Sequence, residues 1–181
     1  MIYLDNAATT SPKPMAVREA VAGALRSYSA NPGRSGHQMS IAAAEAVFSC
    51  RQKAAAFFHA PSEEQVVFTL NCTEAVNFVL KGILKPGDHV VTSSLEHNAV
   101  MRPLEKLSKQ GGVTYDVAEV IFEDPEATLR SFIRAIKPDT KLVICTHASN
   151  VTGAILPIGD IGKLCRARGV LFAVDAAQSA G

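Results

Sequence analysis

Short apolar runs along this chain keep ending in small clusters of polar residues. Val66-Val67-Phe68 leads into Thr69-Leu70-Asn71-Cys72-Thr73-Glu74, and Val90-Val91 into Thr92-Ser93-Ser94-Leu95-Glu96-His97. Leu142-Val143-Ile144-Cys145 leads into Thr146-His147-Ala148-Ser149-Asn150, and Val170 to Val174 into Asp175 and then Gln178. Each run reads as a buried strand. The segments between them carry apolar residues at helical spacing. The pattern predicts helices over Met15–Ser27 and Gln38–Phe58. Strand Gln65–Thr69 then precedes helix Thr73–Leu84, and strand His89–Ser93 precedes helix Asn98–Lys109. Strand Val113–Val117 precedes helix Pro125–Ile136, with Asp124 as N-cap and Pro125 at the first helical position. Strand Lys141–Thr146, helix Ile158–Arg168 and strand Val170–Asp175 complete the order.

Strands alternating with helices imply right-handed crossovers. The fold class is therefore α/β, a mostly parallel sheet with helices on both faces. In such a sheet the carboxyl ends of the strands share one edge, and ligands bind there. Thr73, His97, Asn150 and Asp175 would all be delivered to that edge.

Bulk composition narrows the function classes. Net charge is +1, from 18 basic and 17 acidic residues, with no run of like charge, so neither nucleic acid nor an anionic membrane is expected as partner. The N-terminus does not read as a signal peptide, and no apolar run approaches the ~18 residues of a membrane span. The four cysteines, Cys50, Cys72, Cys145 and Cys165, are widely spaced and form no metal-type pair. A reducing cytoplasm is the simplest setting, and no metal site is expected.

Each polar cluster admits a chemical role and a plainer one. The helix after Asn71-Cys72-Thr73 would favour a phosphate at its N-terminus. Asn71 or Thr73 also suffices as an ordinary helix cap. His97 is placed to stack on a flat ring or move a proton, or simply to bond the start of its helix. Asn150 can bond a ring oxygen or belong to a turn before Gly153. Asp175 ends an apolar strand, and a buried carboxylate needs a partner. No partner stands nearby in sequence. Together the clusters describe a phosphate cradle, a ring stacker, a polar side-group contact and a carboxylate. These are the parts that pyridoxal phosphate requires.

Five ordered segments resemble the cysteine desulfurase / selenocysteine lyase family, within the class V aminotransferase group. They are Tyr3–Thr10, Phe68–Asn77, Glu96-His97-Asn98 followed by Pro103, His147–Gly153, and Val174–Ser179. The resemblance implies the type I pyridoxal-phosphate-dependent transferase fold. It assigns Cys72 and Thr73 to the phosphate and His97 to ring stacking and proton relay. It assigns Asn150 and Gln178 to the ring hydroxyl, and Asp175 to the ring nitrogen. Asn71-Cys72 departs from the family's usual glycine and small or hydroxyl residue. The Asn31–His37 loop resembles the cysteine desulfurase-like branch. The implied reaction removes sulfur from L-cysteine, giving alanine and an enzyme persulfide. A homodimer and a sulfur-acceptor protein are implied as partners. Another class V aminotransferase, a lyase acting on sulfur amino acids, and a non-catalytic truncated fragment are the alternatives.

In the family a Schiff-base lysine follows the Asp/Gln strand in a Ser-x-His-Lys turn. None of the nine lysines here stands in that pattern, and none of the four cysteines stands at the nucleophile's position. The chain thus resembles an N-terminal portion. Residues 1–37 are expected to belong partly to a small domain, and residues 38–181 to an incomplete cofactor-binding large domain. Such a portion is expected to expose apolar surface and an unpaired strand edge. The 181-residue chain should therefore aggregate or oligomerise and be marginally stable. Light scattering with thermal melting checks this; a monodisperse monomer with a sharp cooperative melt is the contrary result.

Overall fold

A computed structural model describes residues 2–4, 6, 9–33 and 36–181. Asp5, Ala7 and Ala8 of the opening motif, and Arg34 and Ser35 of the Asn31–His37 loop, lie outside the described residues. The chain forms two compact units, Met1–Phe68 and Thr69–Gly181.

The first unit contains α1 (Met15–Ser27) and α2 (Gln38–Phe57). His37 caps α2, its ring nitrogen accepting the Ser40 N–H at 3.2 Å. A single turn of 3-10 helix follows at Glu63–Gln65. The strand expected over Gln65–Thr69 does not form. Val66 has extended backbone angles, but the run has no ladder partner among the described residues, and Val67 is 70% exposed. β-prone side chains set local conformation; a strand also needs a neighbour to take its hydrogen bonds.

The second unit holds the sheet. Its elements are α3 (Cys72–Ile83), β1 (His89–Ser93), α4 (Asn98–Gly111), β2 (Thr114–Ala118), α5 (Pro125–Ala135), β3 (Thr140–Thr146), α6 (Ile158–Arg168) and β4 (Leu171–Asp175). The strand order is β2-β1-β3-β4, and every pairing is parallel. Alternate side chains of each strand enter opposite cores. On one face Val90, Leu142 and Ile144 pack with Val76 and Leu80 of α3 and Val100 and Leu104 of α4. On the other, Val91, Val143 and Cys145 pack with Phe132 of α5 and Ile161 and Cys165 of α6. Helices thus cover both faces, as parallel strands require. Gly112 ends α4 and Gly169 ends α6, each in the left-handed region, at φ +69° and +66°. At Gly162 a Cβ would meet the Phe172 ring at 3.4 Å, so α6 lies close against β4.

The amino edge of the sheet is tied by a polar chain. Thr140 Oγ1 accepts the Lys137 N–H and lies 2.8 Å from Nδ1 of the buried His89. His89 Nε2 faces Asp116 Oδ2 at 3.4 Å, and Lys137 Nζ pairs with the same oxygen at 2.7 Å. At the carboxyl edge the order of strands creates a switch point. The chain leaves β1 towards β2 on one side, and leaves β3 towards β4 on the other. The crevice beyond the ends of β1 and β3 is where ligands collect in such sheets.

Phe132 is fully buried while Phe122 is 57% exposed. Phe132→Ala should cost about 3–5 kcal/mol in urea unfolding followed by far-UV circular dichroism. Phe122→Ala should stay within about 0.5 kcal/mol of the parent.

Candidate active site

The start of α3 is built by a reciprocal cap. Asn71 Oδ1 accepts the Glu74 N–H at 3.0 Å, and Glu74 Oε2 accepts the Leu70 N–H at 2.7 Å. Asn71 is therefore the cap, and the Thr73 hydroxyl is not spent on it. Thr73 instead lines a cavity of about 360 Å³ between α3 and α4, together with His97, Asn77, Lys81 and Arg102.

His97 follows β1 and caps α4. Its Nδ1 accepts the Ala99 N–H at 3.1 Å, which assigns the ring proton to Nε2. The capping role and the availability of the ring to the cavity coexist in one geometry.

Glu96, which sequence reasoning did not select, spans the switch point. Its Oε1 accepts the Ser93 hydroxyl and, at 2.9 Å, the Thr146 N–H, so it joins the ends of β1 and β3. Its Oε2 is buried without a hydrogen-bond partner. Burial pushes this carboxyl up to about 7, and the Asp175 charge adds to the rise. The bonds from Ser93 and Thr146 oppose the shift without cancelling it. The signal available in the sequence was its position, a carboxylate directly before His97 at a strand end.

Asp175 ends β4 and pairs in register with Thr146 of β3. It is 7% exposed. Its missing partner comes from far along the chain. Cys72 Sγ donates to Oδ1 at 3.3 Å across 103 residues of sequence, and the Ala177 N–H donates to the same oxygen at 3.0 Å. Asn150 stands exposed in the turn between Ser149 and Gly153, which the Gly153 N–H closes onto the Ser149 carbonyl at 2.9 Å. Gln178 is exposed in the turn after β4. His147 Nδ1 and Ser179 Oγ, 2.8 Å apart, tie the loops that carry these two residues. The structure thus joins Cys72 to Asp175, and Thr73 to His97. The cavity that holds Thr73 and His97 is not lined by Asn150, Asp175 or Gln178. The edge draws on three strand ends and one helix N-terminus, since the run before α3 is not a strand. Among the described residues no group of His, Cys, Asp and Glu is arranged to hold a metal ion.

The family model for class-V aminotransferases matches residues 2–181. The chain belongs to that family. A probable cysteine desulfurase of Synechocystis sp. is 35% identical over 99% of this chain and 43% of its own length. Cysteine desulfurase IscS of Vibrio cholerae is 37% identical over 99% of this chain and 45% of its own. The chain therefore spans a little under half the length of these relatives. Among solved structures, the apo cysteine desulfurase of Thermococcus onnurineus superposes with a TM-score of 0.87 at 36% identity, over 99% of this chain and 44% of that one. SspA in complex with cysteine superposes at 0.82 with 28% identity, over 99% and 51%.

Class-V aminotransferases use pyridoxal phosphate, and the donor set of this member suits that group. A buried carboxylate held by two donors suits a protonated ring nitrogen. A capped helix start with a spare hydroxyl suits a phosphate. Among the described residues no helix is long and apolar enough to cross a membrane.

The raised Glu96 carboxyl makes folding take up a proton. Between its ordinary 4.5 and about 7 the folded chain binds more protons than the unfolded one. This contribution to stability is thus fullest below about 4.5 and is lost as pH rises to about 7. Glu96→Gln should remove that loss. At pH 8 the variant should be more stable than the parent by about 3 kcal/mol, and at pH 4.5 the two should be nearly equal. Urea midpoints at the two pH values decide it; an equal gap at both would contradict the assignment.

Proposed function

We propose that this chain is the N-terminal portion of a pyridoxal-phosphate-dependent cysteine desulfurase. The observation that carries the reading is the buried Asp175 carboxylate, held by Cys72 and Ala177 at the edge that also bears His97 and Thr73. The relatives' identity as cysteine desulfurases, and the cysteine bound in a structural neighbour, supply the substrate class. Residues 38–181 form part of the cofactor-binding large domain, and residues 1–37 contribute to a small one.

When bound, the cofactor acts as an electron sink for the substrate carbanion. Asp175 keeps the ring nitrogen protonated by placing a negative charge beside it. The Thr73 hydroxyl and the first N–H groups of α3 bind the phosphate. His97 stacks on the ring and holds a transferable proton at Nε2. Asn150 and Gln178 bond the ring hydroxyl. In the overall reaction cysteine and an enzyme thiol give alanine and an enzyme persulfide, with no external oxidant or reductant. Cys145 and Cys165 are poor candidates for that thiol. Both are buried, and burial pushes Cys165 up to about 11 and Cys145 well above its ordinary value. The complete enzyme is proposed to work as a cytoplasmic homodimer that passes its sulfur to an acceptor protein.

Two measurements test the reading. Because no lysine here lies in a Ser-x-His-Lys turn, the 181-residue chain alone should form no alanine from L-cysteine. Borohydride treatment with pyridoxal phosphate, then dialysis, should leave no stoichiometric adduct on one lysine. In the polypeptide encoded by the whole reading frame, alanine should form, with sulfide released from the persulfide when a thiol reductant such as dithiothreitol is added, and Asp175→Asn should slow both by orders of magnitude, tenfold for each ~1.4 kcal/mol lost. Near-normal turnover in that variant would remove Asp175 from its role.

A further inference from the structure

Cys72 occupies the first position of α3, where free N–H groups ordinarily draw a thiol towards thiolate. Here the balance is reversed. Burial, then the charge and hydrogen bond of Asp175, push this thiol up to about 11. The sulfur keeps its proton at neutral pH and is a donor. Its acceptor, Asp175 Oδ1, takes a second bond from the Ala177 N–H. One donor comes from α3 and the other from the turn after β4. Two donors from separate elements, at 3.3 and 3.0 Å, fix the rotation of the carboxylate.

We infer that Cys72 is a positioning residue, whose thiol locks the Asp175 carboxylate in place and is therefore not a sulfur-accepting nucleophile. The main-chain N–H of Cys72 remains at the helix start for a phosphate, while its side chain serves the ring-nitrogen carboxylate. That part of the inference rests on the cofactor reading above. The coupling of thiol to carboxylate does not.

The coupling is tested first in the 181-residue chain without cofactor. Iodoacetamide labelling, mapped by mass spectrometry, compares Cys72 with the exposed Cys50. Raising the thiol from 9.0 to about 11 cuts its thiolate fraction at pH 8 about a hundredfold. The greater nucleophilicity of the more basic thiolate restores roughly tenfold, so Cys72 should label about tenfold more slowly than an ordinary thiol. Asp175→Asn should speed labelling of Cys72 several-fold and leave Cys50 unchanged. Equal acceleration at both sites would indicate unfolding rather than uncoupling, and no acceleration at Cys72 would overturn the inference.

The positioning role is tested in the whole-reading-frame enzyme by pyridoxal phosphate affinity. Cys72→Ser keeps a donor and should bind within about twofold of the parent. Cys72→Ala should bind roughly tenfold more weakly, as expected when a hydrogen bond to a charged group is lost. Parental affinity in Cys72→Ala, with weakened binding in Asp175→Asn, would overturn the positioning role. Absence of binding in the parent would overturn the functional reading and leave the labelling result to decide the coupling.

Discussion

Parallel strands cannot be joined by tight turns, and each needs a crossover long enough to return to the other end of the sheet. That constraint organises the second unit. It inserts α4, α5 and α6 between successive strands and puts apolar cover on both faces of β1 and β3. It also sends every strand's carboxyl end to one edge, so that residues scattered between 93 and 175 meet there. The order β2-β1-β3-β4 then opens the edge between its two central strands.

That edge carries two dehydrated carboxylates, and the structure treats them differently. Asp175 receives the Cys72 thiol and the Ala177 N–H on one oxygen. Glu96 has donors on Oε1 but leaves Oε2 buried and unpartnered, and burial carries it towards neutrality. Keeping both fully charged in so small a volume would add repulsion to two desolvation costs. Both acids take donors from two elements on one oxygen, and Asp175 is the one proposed to face a ring nitrogen. The other serves as a strap between β1 and β3. Cys72 belongs to the same balance, since its proton is what makes it useful to Asp175.

Much of the fold was legible because it rests on local signals. Strand His89–Ser93 and helix Ile158–Arg168 fall where periodicity placed them, and Asp124 and Pro125 open α5 as cap and first helical residue. The failure at Gln65–Thr69 is equally instructive. Val66, Val67 and Phe68 have strand composition, yet pairing is a property of a second segment that composition does not describe. The site divides in the same way. His97 was readable as a polar residue at a strand-to-helix turn, whichever of its two roles was stressed. Glu96 passed unnoticed because its importance lies in reaching Thr146, 50 residues on.

By itself the sequence determined the α/β class, the family, and the alternation of strands and helices from His89 onward. Spacing, capping and turn chemistry act over a few residues and so can be read along the chain. The tertiary structure alone decided that Asn71 is the cap and leaves Thr73 to a cavity with His97. It alone decided that Asp175 finds its partner in Cys72, 103 residues away. Such contacts depend on strand order and register, which bring distant residues within hydrogen-bond reach, and on burial, which sets the charge each group can carry once there.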